Sequence, residues 1–168
     1  ISGDKNSVFY SNDEVRADGA NSTTGTTGIG FSFRTIDNKP CIEIFVKYLD
    51  NNGKLCVSSN YYYDVVDDLK IFNNYRVSDD NNGTIKFYAN DVLFATVICS
   101  DAKVPTKNTA YKEQYYSTVK LLDKNGSTVA TVSDALVSKD SAIAFATRNQ
   151  DLEFDNFNAV DKTNTDPK

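Results

Sequence analysis

Three amino-acid types are missing from this chain of 168 residues: histidine, methionine and tryptophan. Without histidine, the chain's own residues cannot form a Ser-His-Asp or Cys-His catalytic arrangement, and a zinc site built on imidazole is excluded. Without tryptophan, any aromatic platform for a sugar ring must come from the ten tyrosines or ten phenylalanines. The composition therefore excludes enzyme classes that need a histidine of this chain. It leaves open ligand binding through the rings of tyrosine or phenylalanine.

Long apolar runs and clusters of positive charge are also absent. No apolar run approaches the roughly 18 residues that a membrane-crossing helix needs, so we expect no membrane insertion. No signal peptide is visible, and we expect a mature fragment or a domain of a longer protein. The net charge is −5 and the four arginines are scattered, which disfavours nucleic acid and anionic membranes as partners.

Cysteine occurs three times, at Cys41, Cys56 and Cys99, each within an apolar-patterned segment. An odd number rules out a complete disulfide framework, and no Cys-x-x-Cys spacing points to a metal-thiolate site. Two alternatives stay open. Either all three thiols are reduced and serve as small hydrophobic side chains, or one disulfide forms and one thiol stays free.

Short segments of alternating apolar and polar residues, separated by Asn, Asp and Gly, fill most of the chain. In Cys41–Leu49, an apolar face alternates with a face that carries Glu43 and Lys47 beside Phe45. Asn90-Asp91 predicts a two-residue hairpin turn, since both residue types tolerate positive φ. The predicted strands are Gly28–Ile36, Cys41–Leu49, Lys54–Ser59, Leu69–Val77, Thr84–Ala89, Val92–Ile98, Tyr115–Leu122, Ser127–Val132, Ala142–Thr147 and Leu152–Val160, with one or two more in Lys5–Arg16.

Helical periodicity is lacking over any stretch of 12 residues, although Ser133–Ser138 fits one helical turn. Ten or more short strands with Asn/Gly turns predict an all-β fold, a two-sheet antiparallel β-sandwich of the jelly-roll type. We expect one such domain over residues 1–160, and a disordered tail or linker over 161–168. We also expect a monomeric module.

Two pieces of the second half carry a family resemblance. Gly83–Thr96 is similar to a hairpin in which a strand of the form I-x-V/F-Y ends in an Asn-led turn. Ala142–Asn149 followed by Leu152–Val160 is similar to a closing strand of the form G-x-x-G-F-R-T … F-D-N-F-x-V, with alanines in place of the glycines. Over roughly residues 28–160, the chain thus resembles the concanavalin A-like, laminin-G-like jelly-roll superfamily of lectins, glycan-binding modules, adhesion domains and some glycoside hydrolases.

Tyrosines and arginines are the candidate ligand-binding residues. Aromatic rings stack on sugar rings, and a phenol both donates and accepts hydrogen bonds. Neighbouring tyrosines in a strand point to opposite faces, so each group exposes a ring or buries both. An arginine holds sugar hydroxyls in a fork of donors, or pairs with an acid such as Glu43, Asp64 or Asp151. The candidates are Tyr61, Tyr62, Tyr63, Tyr115, Tyr116, Arg34, Arg76 and Arg148.

Oxygen-rich loops raise the prospect of a structural calcium ion, which takes six to eight oxygen ligands. The candidate ligands are Asp79, Asp80 and Asn82 in one loop and Asp155 near the end of the chain. Asn, Asp and Gly are also the ordinary composition of tight turns, so the same residues fit a purely structural role.

Asp151, Glu153 and Asp155 alternate and would line one face of a strand. Retaining glycosidases use two carboxylates about 5 Å apart, but the spacing differs from the E-x-D-x-x-E strand motif of hydrolases in the resembled superfamily. We therefore assign no catalytic residues and favour a structural role.

The resemblance implies a non-catalytic, lectin-like carbohydrate-binding module of a secreted or cell-surface bacterial protein, with a glycan as its partner. An alternative is a protein-adhesion or structural spacer domain with the same fold. A glycoside hydrolase is the least favoured interpretation.

Overall fold

The computed structural model describes residues 2–3, 27–139, 142–143, 155–156 and 158. Within them, the chain forms strands and no helix, which confirms the predicted all-β class. The strands are β1 (Ser2–Gly3), β2 (Ile29–Ile36), β3 (Lys39–Leu49), β4 (Leu55–Tyr63), β5 (Tyr75–Asp79), β6 (Thr84–Ala89), β7 (Val92–Lys103), β8 (Tyr115–Asp123), β9 (Thr128–Ser138) and β10 (Ala142–Ile143).

All strand pairs are antiparallel and belong to one sheet of order β10-β1-β2-β3-β9-β8-β7-β6-β5, with β4 on the second edge of β3. Two meanders, β2–β4 and β5–β9, make up most of this sheet. They join where Tyr48 of β3 pairs with Ala135 of β9. The predicted two-sheet jelly roll is thus shown only as far as an antiparallel, curled sheet.

The curl brings the two meanders face to face around the main core. Phe33 of β2 lies against Tyr75 of β5, with ring centroids 4.4 Å apart. Tyr62 of β4 meets Phe94 of β7 edge-on at 5.7 Å. Buried apolar side chains from β2, β3, β4, β6, β7, β8 and β9 fill the space between. Burial of this apolar surface is the main source of the fold's stability.

The same loop motif, Asp-x-Asn-Gly, closes three of the hairpins. In each loop, Oδ1 of the aspartate accepts the backbone N–H groups two and four residues later, at 2.8–2.9 Å. The glycine has φ between 74° and 92°, a conformation that favours glycine. The loops begin at Asp50, Asp80 and Asp123. Asn90-Asp91 forms the predicted two-residue turn, with φ of 47° and 64°.

Two sequence predictions within the described residues are wrong. Ser133–Ser138 is not a helical turn but part of β9, which continues through a bulge where Asp134 has φ of 53°. The strand predicted over Leu69–Val77 begins only at Tyr75. Before it, the loop is held by side-chain hydrogen bonds of Asp68 and Asn73 instead of a strand ladder.

Some predictions lie outside the described residues. These are the strands in Lys5–Arg16 and most of Leu152–Val160, the rest of the strand beyond Ile143, and the tail over 161–168. All three cysteines are described and are free thiols, which selects the first of the two alternatives for them.

Candidate functional site

Two rows of side chains cross the outer face of β2, β3 and β4, on the opposite side from the main core. The register of the strands fixes them, because residues directly opposite each other share a face. We call this surface the tyrosine face. Its rows, read from β2 through β3 to β4, are Ser32–Glu43–Tyr61 and Arg34–Cys41–Tyr63.

Glu43 is the buried anchor of the tyrosine face, with no exposed surface. Its Oε2 accepts a hydrogen bond from Oγ of Ser32 at 2.7 Å and one from Nη1 of Arg34 at 3.2 Å. The Arg34 side chain is 39 % exposed, so its charge also reaches solvent. A buried carboxylate needs such partners, because desolvation alone would be costly. The pair therefore fixes a guanidinium at the surface of the sheet.

Tyr61 and Tyr63 present their rings beside this pair. They are 41 % and 45 % exposed, whereas Tyr62 between them is 8 % exposed and packs in the main core. The alternation follows from strand geometry, which places every second side chain on the same face. The same geometry puts the two exposed tyrosines about 7 Å apart along β4, and Arg34 about 10 Å away across the sheet.

Cys41 lies between Arg34 and Tyr63 in the second row and is fully buried. Burial raises the pKa of its thiol above the ordinary value, although the nearby Arg34 charge opposes this. A thiol held neutral is a poor nucleophile. The site therefore offers hydrogen bonding and ring stacking and lacks an activated nucleophile among its described residues.

The other ligand-binding candidates that the structure describes lie elsewhere. Tyr115 is buried in a second small core with Tyr111, and Tyr116 packs against the main core. Arg76 of β5 stacks on the ring of Tyr88 of β6, with the guanidinium carbon 3.6 Å from the ring centroid. Arg148 lies outside the described residues. The structure thus brings together Arg34, Tyr61 and Tyr63 and separates them from the other candidates that it describes.

The predicted calcium loop is organised as a turn. Oδ1 of Asp79 accepts the N–H of Asn81, and Oδ1 of Asp80 accepts those of Thr84 and Asn82. These donors hold the pKa of Asp80 below its ordinary value, Thr84 contributing most. Among the described residues, no three Cys, Asp or Glu side chains lie close enough to hold a metal ion.

Asp155 is described and exposed, but its predicted companions Asp151 and Glu153 lie outside the described residues. Calcium binding at Asp155 therefore stays a prediction. The adjacent Asn156 has φ of 55°, in the left-handed region that asparagine tolerates.

Sequence reasoning missed Ser32 as part of the site, and it named Glu43 only as one of three acids that could pair with Arg34. The structure shows this pairing. The available signal was alternation: Ser32 and Arg34 both occupy the non-core face of a strand whose core face carries Phe31 and Phe33. What alternation cannot show is which strand lies alongside.

Comparison with models of protein families, with curated proteins and with solved structures finds no match for this chain. The described residues also include no helix that is long and apolar enough to cross a membrane.

Proposed function

We propose that this chain is a non-catalytic glycan-binding module of a secreted or cell-surface bacterial protein, and that the tyrosine face is its binding surface. We also propose that the β2–β4 and β5–β9 meanders act as the two layers of a β-sandwich of the jelly-roll kind. One observation carries the functional proposal: two exposed tyrosine rings share a sheet face with an arginine that is fixed by a buried glutamate.

The chemistry of this face suits a sugar. The Tyr61 and Tyr63 rings can stack on the C–H face of a pyranose, and each phenol can donate to or accept from a ring hydroxyl. Arg34 adds a planar fork of donors beside them. Because Glu43 balances its charge, the face suits uncharged hydroxyls more than a free anion. The expected affinity is on the order of micromolar to millimolar, since few groups become buried.

Glycan arrays followed by isothermal titration calorimetry test the proposal. The variant Tyr61→Ala/Tyr63→Ala should weaken binding of an array hit by roughly tenfold or more, because stacking area is lost. Phe72→Ala is the matched control: it removes an aromatic side chain that is 70 % exposed but lies in the loop before β5. Circular dichroism should show the same fold for all three proteins.

The proposal would be contradicted if no glycan class bound, or if the double tyrosine variant bound as tightly as the wild type. Equal weakening by Phe72→Ala would also contradict it, because it would place the contact outside the tyrosine face.

A second candidate is a protein-adhesion domain, and the loop before β5 favours it. Ile71 and Phe72 are 60 % and 70 % exposed. The loop that carries them is held in place: Asn90 donates from Nδ2 to Oδ1 of Asn73 at 2.9 Å, and Oδ1 of Asn90 accepts the N–H of Asn74 at 2.9 Å. A fixed apolar pair is typical of a protein contact. Binding to a protein partner that is lost with Phe72→Ala and kept in the tyrosine variant would support this candidate.

A further inference from the structure

The β4 strand has one edge without a partner among the described residues. Its other edge pairs with β3 along the whole strand, from Leu55 opposite Leu49 to Tyr63 opposite Cys41, with no break in register. An edge of this kind exposes a row of backbone donors and acceptors that another strand can use.

The sequence of β4 contains none of the residues that commonly block pairing of an edge strand with another strand. Its residues, Leu-Cys-Val-Ser-Ser-Asn-Tyr-Tyr-Tyr, include no charge, proline or glycine. The β5 strand at the far end of the sheet differs: it has only five residues and carries Arg76 and Asp79. Short length and charge are common means of blocking edge pairing. The β4 edge is therefore better suited than the β5 edge to accept a strand.

The peptide groups that point outward from β4 follow from the hairpin. The backbone N–H of Asp50 donates to the carbonyl of Lys54 at 2.9 Å, so these two residues form a hydrogen-bonded pair. Such pairs alternate along an antiparallel ladder. The even-numbered residues of β4 thus bond to β3, and the odd-numbered residues direct their N–H and C=O groups outward: Leu55, Val57, Ser59, Tyr61 and Tyr63.

We propose that two copies of this chain pair through their β4 strands in antiparallel fashion, about a two-fold axis at Ser59. In this register, Ser59 faces the partner's Ser59, and a residue that precedes Ser59 by some number of positions faces the partner residue that follows it by the same number. Every odd-numbered residue therefore faces an odd-numbered residue. All outward peptide groups of both copies can then bond to each other. The pairing joins the two sheets into one, and it differs from the monomeric module that the sequence predicted.

The charges at the two ends of β4 favour a second copy of this chain as the partner, an antiparallel orientation and the register about Ser59. Lys54 precedes the strand and Asp64 follows it, and both are exposed. Antiparallel pairing about Ser59 places Lys54 opposite the partner's Asp64, and the symmetry repeats the pair at the other end. A parallel pairing would bring like charges together. Opposite charges facing each other across strands are stabilising, and like charges are not.

The side chains on the tyrosine face fit the same register. Tyr61 lies opposite the partner's half-buried Val57, whereas Tyr63 lies opposite the partner's Leu55, whose side chain is already buried in the second small core and adds no contact. Aromatic side chains facing aliphatic or β-branched ones are favourable cross-strand pairs. If the tyrosine face binds a glycan, as proposed above, the dimer carries two such faces side by side. The dimer itself does not depend on that function.

Analytical ultracentrifugation of the wild-type chain over a range of concentrations tests the proposal first. The mass should rise from 18.6 kDa towards twice that value as concentration increases. Ser59→Pro should hold the protein at 18.6 kDa, because it removes an outward N–H at the centre of the pairing, and proline is tolerated at such edge positions. Val77→Pro is the matched control, since Val77 occupies the equivalent outward position in β5 and is 48 % exposed.

The register is tested by the charges. Lys54→Glu places two like pairs across the interface and should weaken dimerisation by roughly tenfold. Lys54→Glu/Asp64→Asn removes the repulsion and should restore most of the lost affinity. Asparagine is chosen because Asp64 has φ of 57°, which asparagine tolerates.

A wild-type chain that stays monomeric up to roughly 1 mM, the weak end of specific affinities, would overturn the proposal and leave the edge to a strand of another protein. A dimer that persists in Ser59→Pro would overturn it as well, because it would place the interface elsewhere. Equal effects of Lys54→Glu and the double charge variant would overturn the register.

Discussion

The two faces of β3 are both buried, yet they are built from different chemistry. The inner face carries Ile42, Ile44 and Val46, which have no exposed surface and belong to the main core. The outer face carries Glu43 and Lys47, which are 0 % and 1 % exposed. Burial alone therefore does not separate the packing face from the face that supports the candidate site.

The difference lies in what each face needs from its neighbours. The inner face needs volume and shape, because apolar side chains are stabilised by close packing. The outer face needs partners for its charges, because a buried charge without them is strongly destabilising. Glu43 obtains two from β2, Ser32 and Arg34. A face of this kind holds polar groups in fixed positions, as a binding surface requires.

The largest expected effect is a loss of stability on the inner face of β3, and it should exceed the loss at the exposed part of the tyrosine face. Ile44→Ala should lower the free energy of unfolding by about 2–5 kcal/mol, because it leaves a cavity in the main core. Tyr61→Ala, at a position that is 41 % exposed, should cost at most about 1 kcal/mol. Urea unfolding followed by tyrosine fluorescence measures both. A larger loss for Tyr61→Ala than for Ile44→Ala would show that the tyrosine face is part of the stabilising core.

A smaller effect is expected at Gly30 on the outer face, where the neighbouring ring leaves no room for a side chain. Gly30 lies opposite Phe45, and a Cβ at Gly30 would collide with the Phe45 ring, coming within 2.8 Å of Cε1 and Cε2. Gly30→Ala should therefore cost about 1–3 kcal/mol through overpacking. Adding Phe45→Leu should recover part of that loss, and the two changes should not be additive.

Gly126→Ala is the comparison for this prediction. No atom lies within 4 Å of a Cβ at Gly126, but its φ is 82°. Its cost should come from the backbone alone, about 1–2 kcal/mol, and should not change when Phe45 is replaced. If Gly30→Ala and Gly126→Ala responded alike to Phe45→Leu, the steric account of Gly30 would be wrong.

Local features of the fold could be predicted from the sequence. Strand β6 has the predicted bounds, and the Asn90-Asp91 turn has the predicted positive φ values. These features depend on residues that are close in sequence. The error at Ser133–Ser138 has a different origin: the segment is a strand because it pairs with residues of β8 and β3 far along the chain. Such tertiary contacts override local preference.

The candidate site shows the same limit. Residue type selected Arg34, Tyr61 and Tyr63, but also five other residues that the structure places elsewhere or does not describe. Only the register of β2, β3 and β4 brings the three onto one face around Glu43. A shift of one residue in that register would have exposed Tyr62 instead.

Replacing Tyr62 is expected to have the smallest effect on stability near neutral pH. This residue points inward between the two tyrosines of the outer face. Burial raises the pKa of its phenol from 10.0 to about 12, and the charge of Asp123 adds to the shift. The hydroxyl is buried without a hydrogen-bond partner in the described part of the chain. Tyr62→Phe should therefore leave the free energy of unfolding at pH 8 unchanged or raise it, because no hydrogen bond is lost and an unpaired buried hydroxyl is removed.

The effect should grow in alkaline solution. The unfolded phenol ionises near pH 10, whereas the folded one resists ionisation to about pH 12, so the unfolded state releases protons first and the wild type loses stability across this window. Tyr62→Phe should be less sensitive there, although burial also raises the pKa values of Tyr75 and Cys99 to about 12, and these groups keep part of the pH dependence. Urea unfolding at pH 8 and pH 11 measures the difference. Tyr61→Phe is the control on the outer face; if it reduced the pH dependence as much as Tyr62→Phe, the inward placement of Tyr62 could not be its cause.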